Sequence, residues 1–377
     1  MSKSATSTKW PTTTLGPLMT LQTGKLDVNA GSEDGRFPFF TCSRETYKID
    51  VAAFSGKSVI VAGNGDLNVK YFDGPFNAYQ RTYVRQVADE GKLDARYLFY
   101  FMDDYVGTLR ANTQGSTIQY LKKAQFTDAP INLPPLSGQR RIVDVMASVD
   151  AYIAALQQQA DDARSARNAV LHELLTAGGS SWIETTLGEA VNIQKGKKPP
   201  SLGDEATIGQ PYLTADVLRG SAPSQFVPQS ALGMCVQLEE DETVLLWDGA
   251  GAGDVFRSTT GVLASTMARL SHKSKESLES RFLHLAVQEK SLEIKLSCRG
   301  TTVPHVSPSA FAATTLLIPP LPEQKRIVET VTAMDDVVSA TEQAVRVAQA
   351  LRAGLLSTLL LGEHEIPDTY DRLLGAA

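Results

Sequence analysis

Two stretches of this chain repeat each other, and each repeat runs directly into a long helical pattern. Leu133-Pro134-Pro135-Leu136-Ser137-Gly138-Gln139-Arg140-Arg141-Ile142-Val143 returns as Ile318-Pro319-Pro320-Leu321-Pro322-Glu323-Gln324-Lys325-Arg326-Ile327-Val328, an offset of 185 residues. The same offset carries Gly115-Ser116-Thr117 onto Gly300-Thr301-Thr302, Phe126 onto Phe311, Asp150 onto Asp335 and Leu174-Leu175 onto Leu359-Leu360. Earlier in each half, Trp10 and Leu15-Gly16 match Trp182 and Leu187-Gly188 at an offset of 172 residues. A domain and its helix, present twice, predict a pseudo-twofold molecule suited to a two-part target.

The repeats set the expected boundaries. Residues 1–9 are rich in Ser, Thr and Lys and are expected to be disordered. A first domain covers 10–132, a stiff Pro-Pro hinge and long helix cover 133–177, and Gly178-Gly179-Ser180-Ser181 links to a second domain over 182–317. A second hinge and helix cover 318–362, and residues 363–377 form a tail. Each domain mixes β-branched runs with one short helix. Ser58-Val59-Ile60-Val61-Ala62, Arg81 to Arg85, Thr243 to Trp247 and Val262 to Leu270 read as strands; Leu93 to Thr108 and Leu278 to Val287 read as helices. The long helices, read over Gly138–Ala177 and Pro322–Leu361, carry apolar stripes: Ile142, Val145, Val149, Ile153, Leu156, Ala160, Ala163, Val170 and Leu174 in one, Ile327, Met334, Val338, Val345, Ala348, Leu355 and Leu359 in the other. Stripes of this kind predict that the two helices bury each other as an antiparallel coiled coil. The fold class expected is α+β, with two duplicated domains joined by this helix pair.

Composition narrows the function. The chain has 377 residues, 42% hydrophobic and 21% charged, enough for two or three ordinary globular domains. Cys42, Cys235 and Cys298 are widely spaced and form no Cys-x-x-Cys pair, so neither a zinc site nor a disulfide framework is expected. Met1 to Trp10 has no apolar core of a secretory signal, and the run Leu355 to Leu361 is too short to span a bilayer; a cytoplasmic protein without membrane contact is expected. The net charge of −6 argues against bulk polyanion binding but leaves room for local basic clusters. His172, His272, His284, His305 and His364 make no metal-binding or catalytic spacing, and no acid–base pair recurs at duplicated positions. No catalytic, metal or cofactor residue is assigned. Asn132-Leu133-Pro134-Pro135-Leu136 approximates the amine-holding loop of amino-methyltransferases, but Leu133 breaks the spacing and Leu136 stands where an aromatic is required. Asp248-Gly249-Ala250-Gly251-Ala252-Gly253-Asp254 reads as a flexible surface turn, because no helix pattern follows to receive a phosphate.

The paired Pro-Pro-Leu-x-x-Gln-x-Arg-Ile-Val segments resemble the specificity (S) subunit of type I restriction–modification enzymes, and the resemblance runs along nearly the whole chain. Ile60-Val61-Ala62-Gly63-Asn64-Gly65-Asp66-Leu67-Asn68-Val69-Lys70-Tyr71, followed by Phe76-Asn77-Ala78-Tyr79-Gln80-Arg81-Thr82, is similar to the glycine-rich strand-turn-strand of its target recognition domains. Gln194-Lys195-Gly196-Lys197-Lys198-Pro199, echoed by Gln22-Thr23-Gly24-Lys25, is a third mark. The resemblance implies a non-catalytic subunit whose two domains each read one half of a split sequence in double-stranded DNA, while the helices set the spacing and recruit two modification (methyltransferase) subunits. It implies S-adenosylmethionine on those partners, and ATP and Mg on restriction (motor-nuclease) subunits. The acidic loop at Asp248 to Asp254 departs from a basic DNA-facing surface. A degenerate methyltransferase and a pseudo-symmetric scaffold without DNA contact remain as alternatives.

Base readout needs Arg or Lys for guanine and Asn or Gln for adenine; phosphate contact needs cations, hydroxyls and backbone amides. These demands select Lys25, Asn64, Asn68, Lys70, Tyr71, Asn77, Tyr79, Gln80, Arg81, Asn112, Gln114, Ser116 and Thr117 in the first half. In the second half they select Lys195, Lys197, Lys198, Arg257, Arg299, Thr301, Thr302 and His305. Gln139, Arg140 and Arg141, with Gln324, Lys325 and Arg326, open the helices; cations there oppose the helix dipole, which suggests a partner subunit or a phosphate as their counterpart. The recognised bases and the gap between half-sites depend on docking geometry.

Overall fold

A computed structural model describes residues 10–111, 121–204, 206, 209–274, 276–300 and 303–372. The chain divides into two compact units. The first runs to Gln158 and resumes at Gln343; the second is Gln159–Glu342. These borders differ from the element-by-element division read from the sequence, because each long helix contributes one part to each unit.

Both units are α+β and share one plan. In the first, Met19–Thr23, Thr82–Val87, Ser58–Ala62 and Val69–Phe72 form, in that order, an antiparallel four-stranded sheet. In the second, Val191–Lys195, Met267–His272, Thr243–Leu246 and Val255–Arg257 form the same sheet. A smaller sheet follows in each: Thr46–Ile49, Phe37–Phe40 and Asn77–Ala78 in the first, and Phe226–Pro228, Gly209–Leu213, Gly261–Leu263 and Gln237–Leu238 in the second. Each smaller sheet has one parallel pair, Phe39 beside Asn77 and Tyr212 beside Val262. A two-stranded ribbon joins the start of each domain to its end, Thr12–Thr14 with Pro130–Asn132 and Ile183–Thr186 with Thr315–Ile318. The run read as one strand from Val262 to Leu270 is two strands, since the backbone turns at Ala264 to Thr266 to change sheets.

The short helices are Ala95–Ala111 and Ser280–Glu289. Each lays one apolar face on the four-stranded sheet: Leu98, Phe101 and Met102 in the first unit, Phe282, Leu283 and Ala286 in the second. The long helices are Leu136–Thr176 and Leu321–Leu361, within one or two residues of their expected ends. At 1.5 Å per residue each is about 60 Å long. Gly362, at φ 75°, ends the second in a left-handed turn whose next amide, that of Glu363, donates to Thr358.

The helices pack antiparallel within each unit. In the first, Ile142, Val143 and Met146 share a core with Leu356, Leu359 and Leu360; in the second, Leu171 and Leu175 share one with Ile327, Val328 and Val331. The stripe also carries charge. Arg352 bonds Asp150 in the first unit, and Arg167 bonds Asp335 in the second, with Nε to Oδ1 at 2.8 Å. Both arginines lie on the inner face, where paired cations can be tolerated although a lone charge cannot. The helix Leu321–Leu361 is long and apolar enough to cross a membrane by length and composition, with mean hydropathy 1.3 over its most apolar window. Some of its apolar residues serve the two cores, Ile327, Val328 and Val331 in one and Leu356, Leu359 and Leu360 in the other, while Val337, Val347 and Leu351 are exposed. The helices therefore act as the floor on which each domain is built.

Candidate nucleic-acid interface

The first unit builds its polar surface on the turn after Ser58–Ala62. The strand ends at Gly63, whose amide donates to the Arg81 carbonyl at 2.9 Å, so the 63–68 turn and the Tyr79–Arg81 turn lie side by side. Asn64 is half-buried, while Gln80 and Arg81 are exposed. A second loop joins them through Asn68, whose amide donates to the carbonyls of Cys42 and Asp66 at 2.9 and 2.8 Å. Asp66 pairs with Arg44 at 2.5 Å and Arg110 at 3.1 Å. Arg44 is a cation that the readout pattern did not select, whereas Arg110 is one of the cations the first half offers. Arg44 lies outside the glycine-rich segment, and its position depends on this loop-to-turn packing.

The Gln-x-Gly-Lys pieces sit at the same place in both units. A Cβ on Gly24 would stand 1.9 Å from the Ala78 carbonyl oxygen, and one on Gly196 would stand 2.1 Å from that of Ala264. The strand leaving the sheet crosses another backbone there, so glycine is required. Lys25, Lys197 and Lys198 follow on exposed backbone.

In the second unit the glycine run is the hairpin between Thr243–Leu246 and Val255–Arg257, the counterpart of the 63–68 turn. It is an ordered turn: Gly249, Gly251 and Gly253 adopt φ values of 115°, 98° and 98°, and Ala252 is buried. Its acids are neutralised locally. Asp248 meets Lys195 at 2.8 Å, and Asp254 meets Arg219 at 2.5 Å and Lys295 at 2.6 Å. The hydrogen bonds from Lys295 and Arg219 outweigh the opposing effect of burial and hold the Asp254 carboxyl below its ordinary value. Single bridges bring His305 beside Asp248 and beside Arg299. Lys195, Arg299 and His305 therefore share one exposed patch around the hairpin.

Several selected residues have internal roles. Asn77 is buried, donating to the Val51 carbonyl at 2.8 Å and accepting from its neighbour's amide. Asn68 is buried with the two bonds given above. Lys70 donates to the carbonyls of Ser43 and Glu45, and burial lowers its pKa. Tyr71 lies beneath Arg96, and Tyr79 is half-buried beside Leu26. Arg257 bonds Asp241. Asn112, Gln114, Ser116, Thr117, Thr301 and Thr302 lie outside the described residues.

The residues opening the long helices divide in the same way. Gln139 accepts from the Asp94 amide and donates to the carbonyls of Lys92 and Pro134, at 2.8 to 2.9 Å. Gln324 repeats all three bonds with Glu279, Ser277 and Pro319, each at 2.8 Å. Both amides are fully buried, so they lock each domain to its helix and are not available to a partner. Arg141 is held by Asp368 and by Asp371 at 2.7 Å, which pins the C-terminal segment across the start of its helix. Arg140, Lys325 and Arg326 are exposed. Asn132 is engaged with Thr12 at 2.8 Å and with Leu360 at 3.1 Å, an anchoring role rather than that of an amine-holding loop.

Comparison with known proteins places this architecture. The model of the type I restriction modification DNA specificity domain matches residues 7–162 and again 179–347. The EcoDI specificity subunit of Escherichia coli is 38% identical over 166 residues, which cover 43% of this chain and 37% of that protein. The MjaVIII specificity subunit of Methanocaldococcus jannaschii is 31% identical over 179 residues, 47% of this chain and 41% of that one. The matched stretches thus span well under half of those relatives. The crystal structure of the S subunit from M. genitalium shares the fold at 18% identity, with TM-score 0.57 over 96% of this chain and 98% of that one. Two domain matches, each on one compact α+β unit with its share of the helix pair, establish that this chain belongs to the family of type I restriction–modification specificity (S) subunits.

Proposed function

We propose that this chain supplies DNA sequence specificity to a type I restriction–modification complex, each unit reading one half of a bipartite site in double-stranded DNA. The observation that carries this reading is the recurrence of one surface in both units. A hairpin tip beside a Gly-Lys crossover presents Lys25, Asn64, Gln80 and Arg81 in the first and Lys195, Lys197, Lys198, Arg299 and His305 in the second. Cations of this kind position a phosphate backbone, and Asn, Gln and Arg read base edges. The subunit itself is not catalytic. Methyl transfer and its S-adenosylmethionine belong to two modification subunits, and ATP and Mg belong to restriction subunits; all act on DNA in the cytoplasm.

Exposed features of the helices support partner docking. Arg140 lies at the start of one helix and Lys325 and Arg326 at the start of the other, while Val337, Val347 and Leu351 are exposed along the second. The helices also serve as a spacer. Inserting seven residues into each, after Gln158 and Gln343, preserves the stripe and lengthens each by roughly 10 Å. The unspecified gap between half-sites then grows by about 3 base pairs.

The test maps methylated positions in cells carrying the modification subunit with and without this chain. A bipartite methylated sequence that appears with the chain is expected. Methyl transfer by the purified chain alone would instead support the methyltransferase reading, and unchanged methylation with intact partners would support the scaffold.

A further inference from the structure

The second unit contains a polar cavity of about 390 Å³ where its short helix, the strand Val255–Arg257 and both long helices meet. Arg167, Arg257, Arg281, His284, Gln288 and Asp335 line it. Its volume lies within the range of small-ligand sites. Two of its lining residues each carry a polar atom that is buried without a hydrogen-bond partner, His284 Nδ1 and Gln288 Oε1. His284 as a whole is only 8% exposed. Buried polar atoms are ordinarily paired, so the polar groups of this corner are incompletely satisfied.

The first unit provides an internal control. The 185-residue offset that aligns the Gln139 and Gln324 anchors carries Arg352 back to Arg167 and Asp150 on to Asp335. It likewise carries Phe99 to His284, Tyr100 to Leu285 and Asp103 to Gln288. Strand register places Tyr71 opposite Val59 as it places Arg257 opposite Thr243. In the first unit this corner is full. Arg352 bonds both Asp150 and Asp103, the latter at 3.0 Å; Tyr100 donates to Asp150 at 2.9 Å; and the rings of Tyr71 and Phe99 pack at 6.3 Å. The second unit keeps the Arg167–Asp335 pair but changes the rest. The second carboxylate becomes an amide, the tyrosine becomes leucine, and the two rings become a histidine and an arginine. One negative charge is removed and one positive charge is added around an arginine that is already buried. Arg257 and Arg281 share Asp241, each through one terminal nitrogen, and keep other N–H groups for a ligand.

We propose that this cavity is an oxyanion site that takes a phosphate group in the position Asp103 fills in the first unit. Guanidinium groups fit the ligand's planar edges with charge-assisted bonds. Burial, together with nearby Arg257 and Arg167, keeps His284 neutral near pH 7, with its pKa lowered to about 4, so it offers either a donor or an acceptor without adding charge. The phosphate arrives free or as part of a DNA backbone. The free form is independent of the DNA-reading proposal above, and the backbone form rests on it.

Full-length chain titrated with inorganic phosphate, at ionic strength matched with chloride, tests the site by calorimetry. The informative variants are Gln288→Asp, which restores the first unit's carboxylate, and Arg281→Gln, at the exposed rim; thermal melts verify that each is folded. One phosphate per chain, weakened at least about tenfold in both variants, is the expected result. Duplex DNA is then added. If it competes with phosphate and loses affinity for both variants, the ligand is a backbone phosphate; if duplex binding is absent or indifferent to them, the site serves a free anion. Phosphate binding that equals chloride, or that survives both substitutions unchanged, overturns the site.

Discussion

Arg85 in the first unit and Leu270 in the second occupy the same point of the same central strand, yet one is a cation and the other a hydrocarbon. Arg85 faces Val59 and Leu21, as Leu270 faces Thr243 and Ile193. Its guanidinium stacks 3.8 Å from the Phe126 ring centroid, and none of its three nitrogens finds a hydrogen-bond partner. Desolvation lowers its pKa to about 9. A desolvated cation–π contact returns about 2 kcal/mol, against a burial penalty of several. The duplicated frame therefore survives a local energetic defect. Its strand order, anchoring glutamines and helix core are shared, while single positions have diverged in charge.

Exchanging the two residues sharpens this contrast and is expected to give the largest effects. Leu270→Arg should cost the second unit about 3–5 kcal/mol, because it buries an unpaired charge among apolar neighbours. Arg85→Leu should stabilise the first by roughly 1–4 kcal/mol. Denaturant melts of both variants check this, and a destabilising Arg85→Leu would show that the stacked cation is a net gain.

The anchors should behave alike where the cores do not. Gln139→Leu and Gln324→Leu each strand one backbone N–H and two carbonyls, so each should cost about 3 kcal/mol and separate a domain from its helix. Hydrogen exchange at Asp94 and at Glu279 reports the two events. Unequal losses would break the equivalence of the units.

His284 makes a pH-dependent difference, since its counterpart Phe99 cannot titrate. Its folded pKa of about 4 lies below the ordinary 6.5, so the unfolded chain binds more protons between those values. Stability from this group is complete above pH 6.5 and declines as pH falls towards 4, by roughly 3 kcal/mol. Melts of the parent and of His284→Phe from pH 7 to 4 should converge or diverge by that amount. Parallel curves would exclude the shift.

On the recognition surface, Gln80→Ala or Arg81→Ala should relax one half-site by about 1–3 kcal/mol and leave the other intact. Methylation of a randomised target library reads both halves at once; equal weakening of both would make the residue a backbone or structural contact. The smallest contrast is at the helix starts. Arg141→Ala should free the C-terminal segment, measurable as faster proteolysis near Asp371, whereas exposed Arg326→Ala should change stability by less than about 0.5 kcal/mol.

The duplication, the α+β plan and the long helices were legible because they rest on periodic or repeated signals. The Pro-Pro segments fix where each helix can begin, and Leu98 or Phe282 recur at spacings that only a helix turns to one face. The paired aspartates of the helix stripe were visible through the repeat, but their arginine partners were not, since Arg167 and Arg352 look like surface residues until antiparallel packing brings them to Asp335 and Asp150. The same limit applied at the candidate interface. Asn68, Asn77 and Gln139 carry the same amide chemistry as a base-reading side chain.

The sequence alone determined that two similar domains and two long helices must form, because hydrophobic period and internal repetition are local properties of the chain. Tertiary structure alone decided which polar groups face inward. It closed the first unit's corner with Asp103, Tyr100 and two rings, and left the second unit's corner open beside Arg167. The physical reason is that availability of a hydrogen-bonding group depends on what lies within about 3 Å of it, and those neighbours come from strands and helices far apart in the chain.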